Sequence, residues 1–480
     1  MTQAYRLACG GCVDRSQVLR FEFDGTGYEG YAGDTLASAL LANGVHVLAR
    51  SFKYHRPRGV FSAGAEEPNA LVQLGRGART EPNVRATTQE LYDGLVAASQ
   101  NCWPSLRFDI GAINDLMSRF LPAGFYYKTF MWPPTPVWWL RYEHLIRRAA
   151  GMGRAAIEPD PDRYEHRHAH CDVLIIGGGL AGLAAARAAA HAGARTILCD
   201  ENPGWGGGVC VDASIIDDQP AGQWVADMVK DLGALPDVTL LPRTTAFGYY
   251  DGNLVGALER VADHLAKPPP HAPPQRLWMI RARAVVLASG AHEQGIAYAN
   301  NDVPGSMLAS AASTYVKRYA VRPGKRALFF TNNDGAYADA LVLHAAGVEV
   351  AGVVDVRPES RTPGGWPARA RDAGLPALNS SVIANVRTNL RTSARGGRRV
   401  ASAEVAPHAG GAAKAIACDL VCVSGGWNPA VHLFSQARGT LRYDDALAAF
   451  VPDASPLPIV PVGAANGCFD AAAALVEGHT

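Results

Sequence analysis

One segment of the chain restricts its fold more than any other: CDVLIIGGGLAGLAAARAAAHAGARTILCDE, at residues 171–201. An apolar strand pattern is followed by a glycine turn, an alanine-rich helix pattern and a second strand pattern. The turn has the form G-x-G-x-x-G. In such a turn Gly177 permits a tight bend, Gly179 lets the backbone approach a pyrophosphate, and Gly182 lets helix and strand pack closely. The free N–H groups at the helix start favour an anion there. The segment therefore predicts a dinucleotide-binding Rossmann unit.

Acidic residues at the end of the second strand narrow the choice of nucleotide. Asp200 lies where a carboxylate can accept hydrogen bonds from ribose hydroxyls, and Glu201 follows it. Because two carboxylates repel a 2′-phosphate, the pattern favours NAD or FAD over NADP. Further along the chain, VGAANGCFDAAAAL at residues 462–475 indicates a helix start at Asn466 and Gly467 that lies against the cofactor.

The N-terminal region has the pattern of a small β-grasp domain of the ferredoxin type. Residues 18–31 alternate apolar and polar side chains around a DGTG turn, which predicts a β-hairpin. The next stretch, GDTLASALLANG, has a candidate N-cap at Asp34 or Thr35 and has Gly44 past its end, so it predicts a helix.

The distribution of cysteines and histidines sets the expectation for metals. A plant-type [2Fe–2S] cluster needs C-x₄-C-x₂-C within the β-grasp loop, and no cysteine occurs between Cys12 and Cys102. We therefore expect no iron–sulfur cluster in this domain. His166, His168 and His170 alternate on an extended segment, which is typical of a solvated linker, and we expect no metal site there.

The rest of the chain divides into a connector and two nucleotide-type domains. Residues 99–168 are rich in aromatic residues and proline; Pro133, Pro134 and Pro136 argue against a continuous helix, so we expect an irregular connector. Later, TNNDGAY at residues 331–337 replaces the glycine fingerprint in a second strand–helix–strand pattern. Both a modified site without a dinucleotide and a functional pocket stay open there. The predicted fold class is α/β, with a cluster-less β-grasp domain at 1–98, the connector at 99–168, a Rossmann-like FAD/NAD(P)-binding domain at 169–320 and 414–480, and an inserted second Rossmann-like domain at 321–413.

Charge, hydropathy and cysteine spacing set the expectations for partners and location. A net charge of +1 at pH 7 gives no electrostatic reason to expect nucleic acid or a membrane as a partner. No run of about 18 or more apolar residues is present, and the first residues do not have the pattern of a signal peptide. Because the nine cysteines have no disulfide-framework spacing, we expect a cytoplasmic protein.

The order of these parts resembles the N-terminal half of the α chain of heterotetrameric sarcosine oxidase, over essentially all 480 residues. Several of the shared motifs are long and are not generic to Rossmann enzymes. The most specific stretches are YAGDTLASALLANGV, SFKYHRPRG, SAGAEEPNALV, ELYDGLVAASQN, PAGFYYKTFMWP, PDPDRYEHRHAHCDVLIIGGGLAGL, TNND and SGGWNP.

The resemblance implies the contents of the nucleotide site. It implies that NAD occupies the first Rossmann unit, with FAD as the alternative, and that FMN at an interface between subunits is possible. It assigns no catalytic residue within the chain and no metal. The cofactor-binding residues expected from the motifs and the resemblance together are Gly177, Gly179, Ala181, Gly182, Asp200, Glu201, Asn202, Gly463, Ala464, Phe469 and Ala471.

The resemblance also implies a function. In that family sarcosine is oxidised to glycine with release of H₂O₂, at flavins in or shared with a partner subunit, and the partners are β-, γ- and δ-type subunits. A C-terminal folate-binding domain of the family is not in this sequence, so we expect no folate chemistry from this chain alone. Two alternatives stay open: an FAD-dependent subunit of a related amine, opine or hydroxyproline dehydrogenase, and a scaffold with a vestigial Rossmann unit.

Overall fold

The computed structural model describes residues 3–121, 132–133, 135–151, 153–211, 214–389 and 398–480. The chain forms two compact units, one from residues 1–161 with 295–425 and the other from residues 162–294 with 426–480. The second unit therefore interrupts the first in the sequence.

A five-stranded sheet and a buried helix make up the N-terminal part of the first unit. Its hairpin turns at Asp24 and Gly25, whose φ values of 50° and 74° are those of a two-residue turn that suits twisted antiparallel strands. The helix Leu36–Ala42 begins with a capping box, because Thr35 accepts from the Ser38 N–H and the Ser38 hydroxyl accepts from the Thr35 N–H. The strands, in sheet order, are Thr26–Ala32, Asp14–Phe23, Leu95–Ser99, Leu71–Leu74 and Glu81–Arg85. The hairpin, the helix and the parallel pairing of the first and last strands form the predicted ferredoxin-like arrangement.

The connector contains a helix, Pro136–Ala150, so the expectation of an irregular segment was wrong for these residues. Pro136 is the first helical residue, where its missing N–H would have no helical partner in any case. Gly151 ends the helix in the left-handed conformation, with φ 69°. The aromatic segment at 122–131 lies outside the described residues. The shorter elements of this part are Ala49–Arg50, Pro57–Arg58, Gly77–Arg79, Ile110–Ala112, Ile113–Leu116 and Ser118–Phe120.

The rest of the first unit is built on a parallel five-stranded sheet. Its strands, in order, are Ser306–Leu308, Leu420–Ser424, Arg326–Thr331, Glu349–Asp355 and Ala377–Leu378. Its helical segments are Ala309–Tyr319, Gly335–Ala345, Glu359–Arg361 and Gly365–Asp372, and an antiparallel sheet is formed by Ser381–Asn389, Arg399–Pro407 and Lys414–Ala417. The strands at 306–308 and 420–424, which the sequence pattern placed in the first Rossmann domain, pair within this sheet. The domain boundaries drawn from the sequence stay a prediction.

A seven-stranded sheet organises the second unit. Six strands follow the order Val238–Leu241, Thr196–Cys199, Glu165–Ile176, Gln275–Leu287, Leu254–Arg260 and Thr244–Tyr250, and Ile459–Pro461 pairs with Gln275–Leu287. Ile176 lies opposite both Cys199 and Leu287 in parallel register, so the carboxyl ends of three central strands meet at one edge. Ligands of open α/β sheets bind at such an edge. The remaining elements are Leu180–His191, Gly207–Val211, Ile215–Ile216, Gln219–Pro220, Ala221–Gly233, Ala291–Glu293, Trp427–Pro429, His432–Gln436, Leu441–Asp444, Ala449–Pro452, Gly463–Asn466 and Ala471–His479.

The apolar run before the glycine turn is buried on both faces of this sheet. Successive strand side chains point to opposite faces, and Leu174 and Ile175 accordingly belong to different apolar clusters. Both side chains are fully buried. The strand reads as a continuous apolar run because helices and loops cover both of its faces. None of the described helices is long and apolar enough to span a membrane.

Candidate dinucleotide site

The glycine turn follows the strand that ends at Ile176, and its first and third glycines are required by close backbone contacts. Gly177 has φ 105°, and a Cβ added there would lie 2.2 Å from the backbone oxygen of Ala288. A Cβ on Gly182 would lie 1.8 Å from the backbone oxygen of Gly177. No side chain can be accommodated at either position without moving the backbone. These two glycines therefore bring the helix Leu180–His191 close against the turn.

The second glycine differs, because it faces open space. A Cβ added to Gly179 would meet no atom within 4 Å. Gly179 is also the N-cap of the helix Leu180–His191, and no side chain caps that helix. Uncapped N–H groups and the helix dipole favour an anion at this point. The turn thus forms an open cradle of backbone amides, of the shape and polarity that a pyrophosphate requires.

Asp200 holds the cradle in place with both of its carboxylate oxygens. One oxygen accepts a hydrogen bond of 2.6 Å from the backbone N–H of Gly178. The other accepts from the backbone N–H of Asn202 at 2.8 Å and from its side-chain amide at 3.0 Å. Asp200 is only 8% exposed. Since a carboxylate has about four acceptor positions, Asp200 can fix the loop and still accept from a ribose hydroxyl.

A glycine-rich segment at residues 203–208, which the sequence motifs did not indicate, folds against the same turn. The ring of Trp205 covers Gly178, where an added Cβ would lie 2.4 Å from the indole. The Gly206 N–H donates to the Gly178 backbone oxygen at 2.7 Å. The signal was present as three consecutive glycines after a tryptophan, which permit close backbone approach.

The C-terminal segment packs on the start of the helix that follows the turn. A Cβ on Gly463 would lie 2.8 Å from the Ala181 Cβ, and a Cβ on Gly478 would lie 2.2 Å from the Ala181 backbone oxygen. Glu477 fixes this segment by accepting from the Gly463 N–H and from the side chain of Asn466, both at 2.6 Å. The sequence pattern located this segment at the site but not the carboxylate that fixes it.

The expected site residues therefore divide into two groups. The structure brings together those at the turn, at the end of the second strand and at the start of the C-terminal motif: Gly177, Gly179, Ala181, Gly182, Asp200, Asn202, Gly463 and Ala464. The side chains of Glu201, Phe469 and Ala471 are exposed, that of Phe469 to 44%. The role of these three in binding stays a prediction.

Two buried thiols on the central strands, Cys171 and Cys199, are not nucleophiles. Burial, aided by a neighbouring carboxylate, raises the pKa of Cys171 and of Cys199 to about 12. Both thiols are therefore protonated at neutral pH, and the thiolate is the reactive form. Within the described ranges, no group of three or more His, Cys, Asp or Glu residues is arranged to hold a metal ion.

The second Rossmann-like turn, at TNND, is filled by its own side chains. The Asn333 amide donates to the Ser424 hydroxyl at 3.0 Å, and its oxygen accepts from the Gly335 N–H at the helix start. The fully buried Asp355, at the end of the next strand, accepts from Arg357 at 2.8 Å. Internal partners thus occupy the positions that would hold phosphates and ribose. This geometry favours a modified site without a dinucleotide.

Two family models match the chain. Residues 16–102 match the 2Fe-2S iron-sulfur cluster binding domain, and residues 172–234 match the FAD dependent oxidoreductase family. The first match covers the ferredoxin-like sheet and the second covers the glycine turn, so they agree with the predicted α/β fold and with its two kinds of domain.

Curated relatives extend the similarity to the whole chain. The chain is a homologue of the N-terminal part of the alpha subunit of sarcosine oxidase, as its motifs predicted. It is 48% identical over 475 residues to that protein from Rhizobium meliloti (strain 1021), covering 99% of this chain and 46% of the relative. The same protein from Corynebacterium sp. (strain P-1) is 38% identical over 473 residues, covering 97% and 43%. One of the subunits of opine oxidase from Agrobacterium tumefaciens (strain Ach5) is 30% identical over 159 residues, covering 32% and 30%. The chain spans about half the length of the sarcosine oxidase relatives.

A solved structure supports the fold. The crystal structure of L-proline dehydrogenase from P. horikoshii matches with a TM-score of 0.62 and 19% identity, covering 97% of this chain and 72% of that one. At this identity the likeness shows the fold alone.

The comparisons correct the cofactor expectations. NAD was the wrong occupant, because the family matched at 172–234 is FAD-dependent, and neither family match supports NAD or FMN. A carboxylate at Asp200 can accept hydrogen bonds from the ribose of either NAD or FAD. Its presence therefore does not distinguish the two dinucleotides. The expectation of a domain without an iron–sulfur cluster was wrong as well, because 16–102 matches a cluster-binding domain family. Counting cysteines does not identify a domain family. Cys102 is the single cysteine within that range, and a cluster of this type takes four ligands, so 16–102 does not by itself supply a complete ligand set.

Proposed function

We propose that this chain is the FAD-holding part of a sarcosine-oxidising flavoprotein and acts together with partner subunits. Three observations support the proposal: the match to an FAD-dependent family, the 48% identity to the alpha chain of a sarcosine oxidase, and the open cradle at Gly179. The open cradle at Gly179 is the strongest of these observations. The neighbouring glycines Gly177 and Gly182 are required by the fold itself, whereas the space at Gly179 serves no packing purpose.

The proposed position of FAD follows from the groups around the turn. Its pyrophosphate lies over Gly179, on the N–H groups that begin the helix Leu180–His191. The ribose hydroxyls donate to Asp200, with Glu201 and Asn202 on the same side. The remaining predicted contacts come from the C-terminal motif: Gly463, Ala464, Phe469 and Ala471.

FAD, when bound, supplies the capacity to accept a hydride from an amine carbon. The protein's own contribution at this site is to bind and orient. The helix start offsets the negative charge of the phosphates, and Asp200 keeps the Gly178 amide in position. Trp205 covers one side of the turn and limits the access of water to it. We propose that the amine substrate is bound by partner subunits of the β, γ and δ types.

The experiment that tests this site is the substitution Gly179→Ala. The added methyl group meets no protein atom, so the fold is retained, but it occupies the space of the pyrophosphate. We expect FAD affinity to fall by roughly tenfold or more, with an unchanged melting temperature of the apoprotein. Flavin released on denaturation is measured by absorbance, and affinity by titration of the apoprotein.

Gly222→Ala is the matched control. Gly222 lies in the helix Ala221–Gly233 of the same unit, and a Cβ added there also meets no atom within 4 Å. This variant should bind FAD as the unmodified chain does. The proposal fails if Gly179→Ala retains full flavin, or if both variants lose it equally.

The similarity to an opine oxidase favours a second candidate, in which the chain serves a related oxidase or dehydrogenase for opines. That similarity covers a third of the chain at 30% identity, against nearly all of it at 48% for sarcosine oxidase. Sarcosine is therefore the preferred substrate.

A further inference from the structure

A concave site lies in the first unit, and none of its wall residues belongs to the nucleotide turn. It is a cavity of about 430 Å³, which is within the range of small-molecule sites. Its charged walls are Arg56, Arg387, Arg398, Asp115 and Asp302. The amide side chains of Asn300 and Asn385 also line it. Three guanidinium groups thus face two carboxylates around one space.

Ion pairs and hydrogen bonds hold part of this wall rigid. Arg56 pairs with Asp302 at 3.0 Å and donates to the Asn300 side chain at 2.9 Å. Asn300 in turn donates to the Asn385 side-chain oxygen at 2.9 Å. A site whose polar groups are already oriented loses little freedom when it binds a ligand.

The charges on this wall are not balanced within the unit. Arg387 pairs with Glu404, while Arg398 is exposed and has no ion pair among the residues that the structure describes. Arg398 also lies close enough to Arg50 for its charge to act there. Burial lowers the pKa of Arg50 most, Asp109 opposes that effect, and the charge of Arg398 lowers the pKa further.

The residue next to Arg398 adds to the excess of positive charge. The Nε and Nη2 atoms of Arg399 are buried and have no hydrogen-bond partner in the described part of the chain. His46 adds no further positive charge, because burial and Arg399 hold the pKa of His46 well below its usual range and keep the imidazole neutral. Val400, which follows, donates its N–H to the backbone oxygen of Pro304, another wall residue. In the described part of the chain, Arg398 therefore lies at one wall of the cavity without an ion pair, and Arg399, with two unpartnered nitrogens, follows it in the sequence.

We infer that this cavity binds a small organic anion through a phosphate or carboxylate group, at a site separate from the proposed FAD site. Guanidinium groups bind both kinds of anion with paired, charge-assisted hydrogen bonds. The ligand supplies a negative charge for Arg398, which lines the cavity and has no ion pair among the described residues. The side chains of Asn300 and Asn385 are hydrogen-bonded to each other, to Arg56 and to Glu404, so they fix the wall rather than contact the ligand. This inference does not depend on the proposed function.

Titration calorimetry with inorganic phosphate and with succinate tests the inference. The protein is first saturated with FAD, so that the glycine turn is unavailable to either probe. We expect saturable binding of at least one probe to a single site, weakened by added salt. Tighter binding of phosphate would identify a phosphorylated ligand, and tighter binding of succinate a carboxylate.

The variants Arg398→Met and Arg387→Met locate the binding. Each variant should lower the affinity for the probe by about tenfold, since each removes one charge-assisted contact. Arg398 is exposed and unpaired in the described chain, so its replacement keeps the fold even if Arg387→Met does not. Arg85→Met, an exposed arginine on the strand Glu81–Arg85 of the same unit, is the control and should bind as before. The inference is overturned if neither probe binds saturably, or if Arg398→Met binds with unchanged affinity.

Discussion

At the scale of single residues, the three glycines of the nucleotide turn serve different purposes. Gly177 and Gly182 are close to backbone oxygens and are required by the fold, whereas Gly179 faces open space, and we propose that a ligand requires it. The same motif therefore contains residues whose replacement affects stability and a residue whose replacement affects binding. Asp200 combines both roles, because it is tied to the turn and also faces the proposed ribose position.

Asp200→Asn is expected to weaken FAD binding by roughly 10- to 100-fold, because a hydrogen bond to a charged group contributes about 1.5–3 kcal/mol. The asparagine side chain has a single acceptor oxygen, whereas the carboxylate accepts from the backbone N–H groups of both Gly178 and Asn202. In the variant, the side-chain NH₂ group must face one of these N–H groups, and two donors cannot form a hydrogen bond. Flavin titration and urea unfolding measure the two consequences. Asp231→Asn, at an exposed position of the same unit, is the control. Wild-type affinity in Asp200→Asn would contradict the proposed role of this carboxylate.

At this scale the sequence predicted which positions of the turn must be glycine. The spacing of Gly177, Gly179 and Gly182 is readable because each requirement arises within one strand–turn–helix segment. Trp205 and Glu477 were missed because their contacts depend on where loops return in space, and no short pattern encodes that. The choice between FAD and NAD was missed because the sequence motif reads features that the two dinucleotides share.

At the scale of elements, the helix Ala471–His479 supports the start of the helix Leu180–His191. Gly478 is buried in the last turn and faces the backbone of Ala181, so the two helices approach at a point where no side chain fits. The sequence predicted a helix start near Asn466 and Gly467. The structure instead forms a short 3-10 turn at Gly463–Asn466, and the helix begins later.

Gly478→Ala is expected to destabilise the second unit by about 1–3 kcal/mol through overpacking, although alanine is the better helix former. Overpacking and helix propensity therefore predict opposite signs for the change in the free energy of unfolding. The added Cβ would lie 2.2 Å from the Ala181 backbone oxygen, so the helices must separate and bound flavin should fall as well. Urea unfolding and flavin content measure both effects. Gly222→Ala, in the helix Ala221–Gly233, where an added Cβ meets no atom within 4 Å, should lower neither. A more stable Gly478→Ala variant would show that this contact does not hold the element in place.

Elements in the connector show where sequence patterns fail. The proline-rich stretch predicted no regular structure, yet Pro136 begins a helix of 15 residues. A proline excludes a helix interior and favours a helix start, and a pattern read for amphipathic spacing alone cannot tell these apart. The hairpin and the helix of the N-terminal part were predictable because turn glycines and an N-cap mark their ends.

At the scale of the whole molecule, the chain contains a candidate cofactor site and spans about half the length of its sarcosine oxidase relatives. The groups identified at the turn are backbone amides and a carboxylate, which bind and orient rather than react. We therefore expect the chain alone to bind FAD and to oxidise sarcosine at no more than about one per cent of the rate of a complete complex, a deficit of about 2.7 kcal/mol in transition-state stabilisation. Peroxide release from sarcosine, with the chain alone and with the proposed partner proteins added, measures this difference. Octopine in the same assay separates the two candidate functions, since a complex that oxidises octopine faster than sarcosine would favour the opine candidate. Gly179→Ala, assembled into the same complex, should lose activity in proportion to its lost flavin, and full activity in that variant would place the working cofactor at another site.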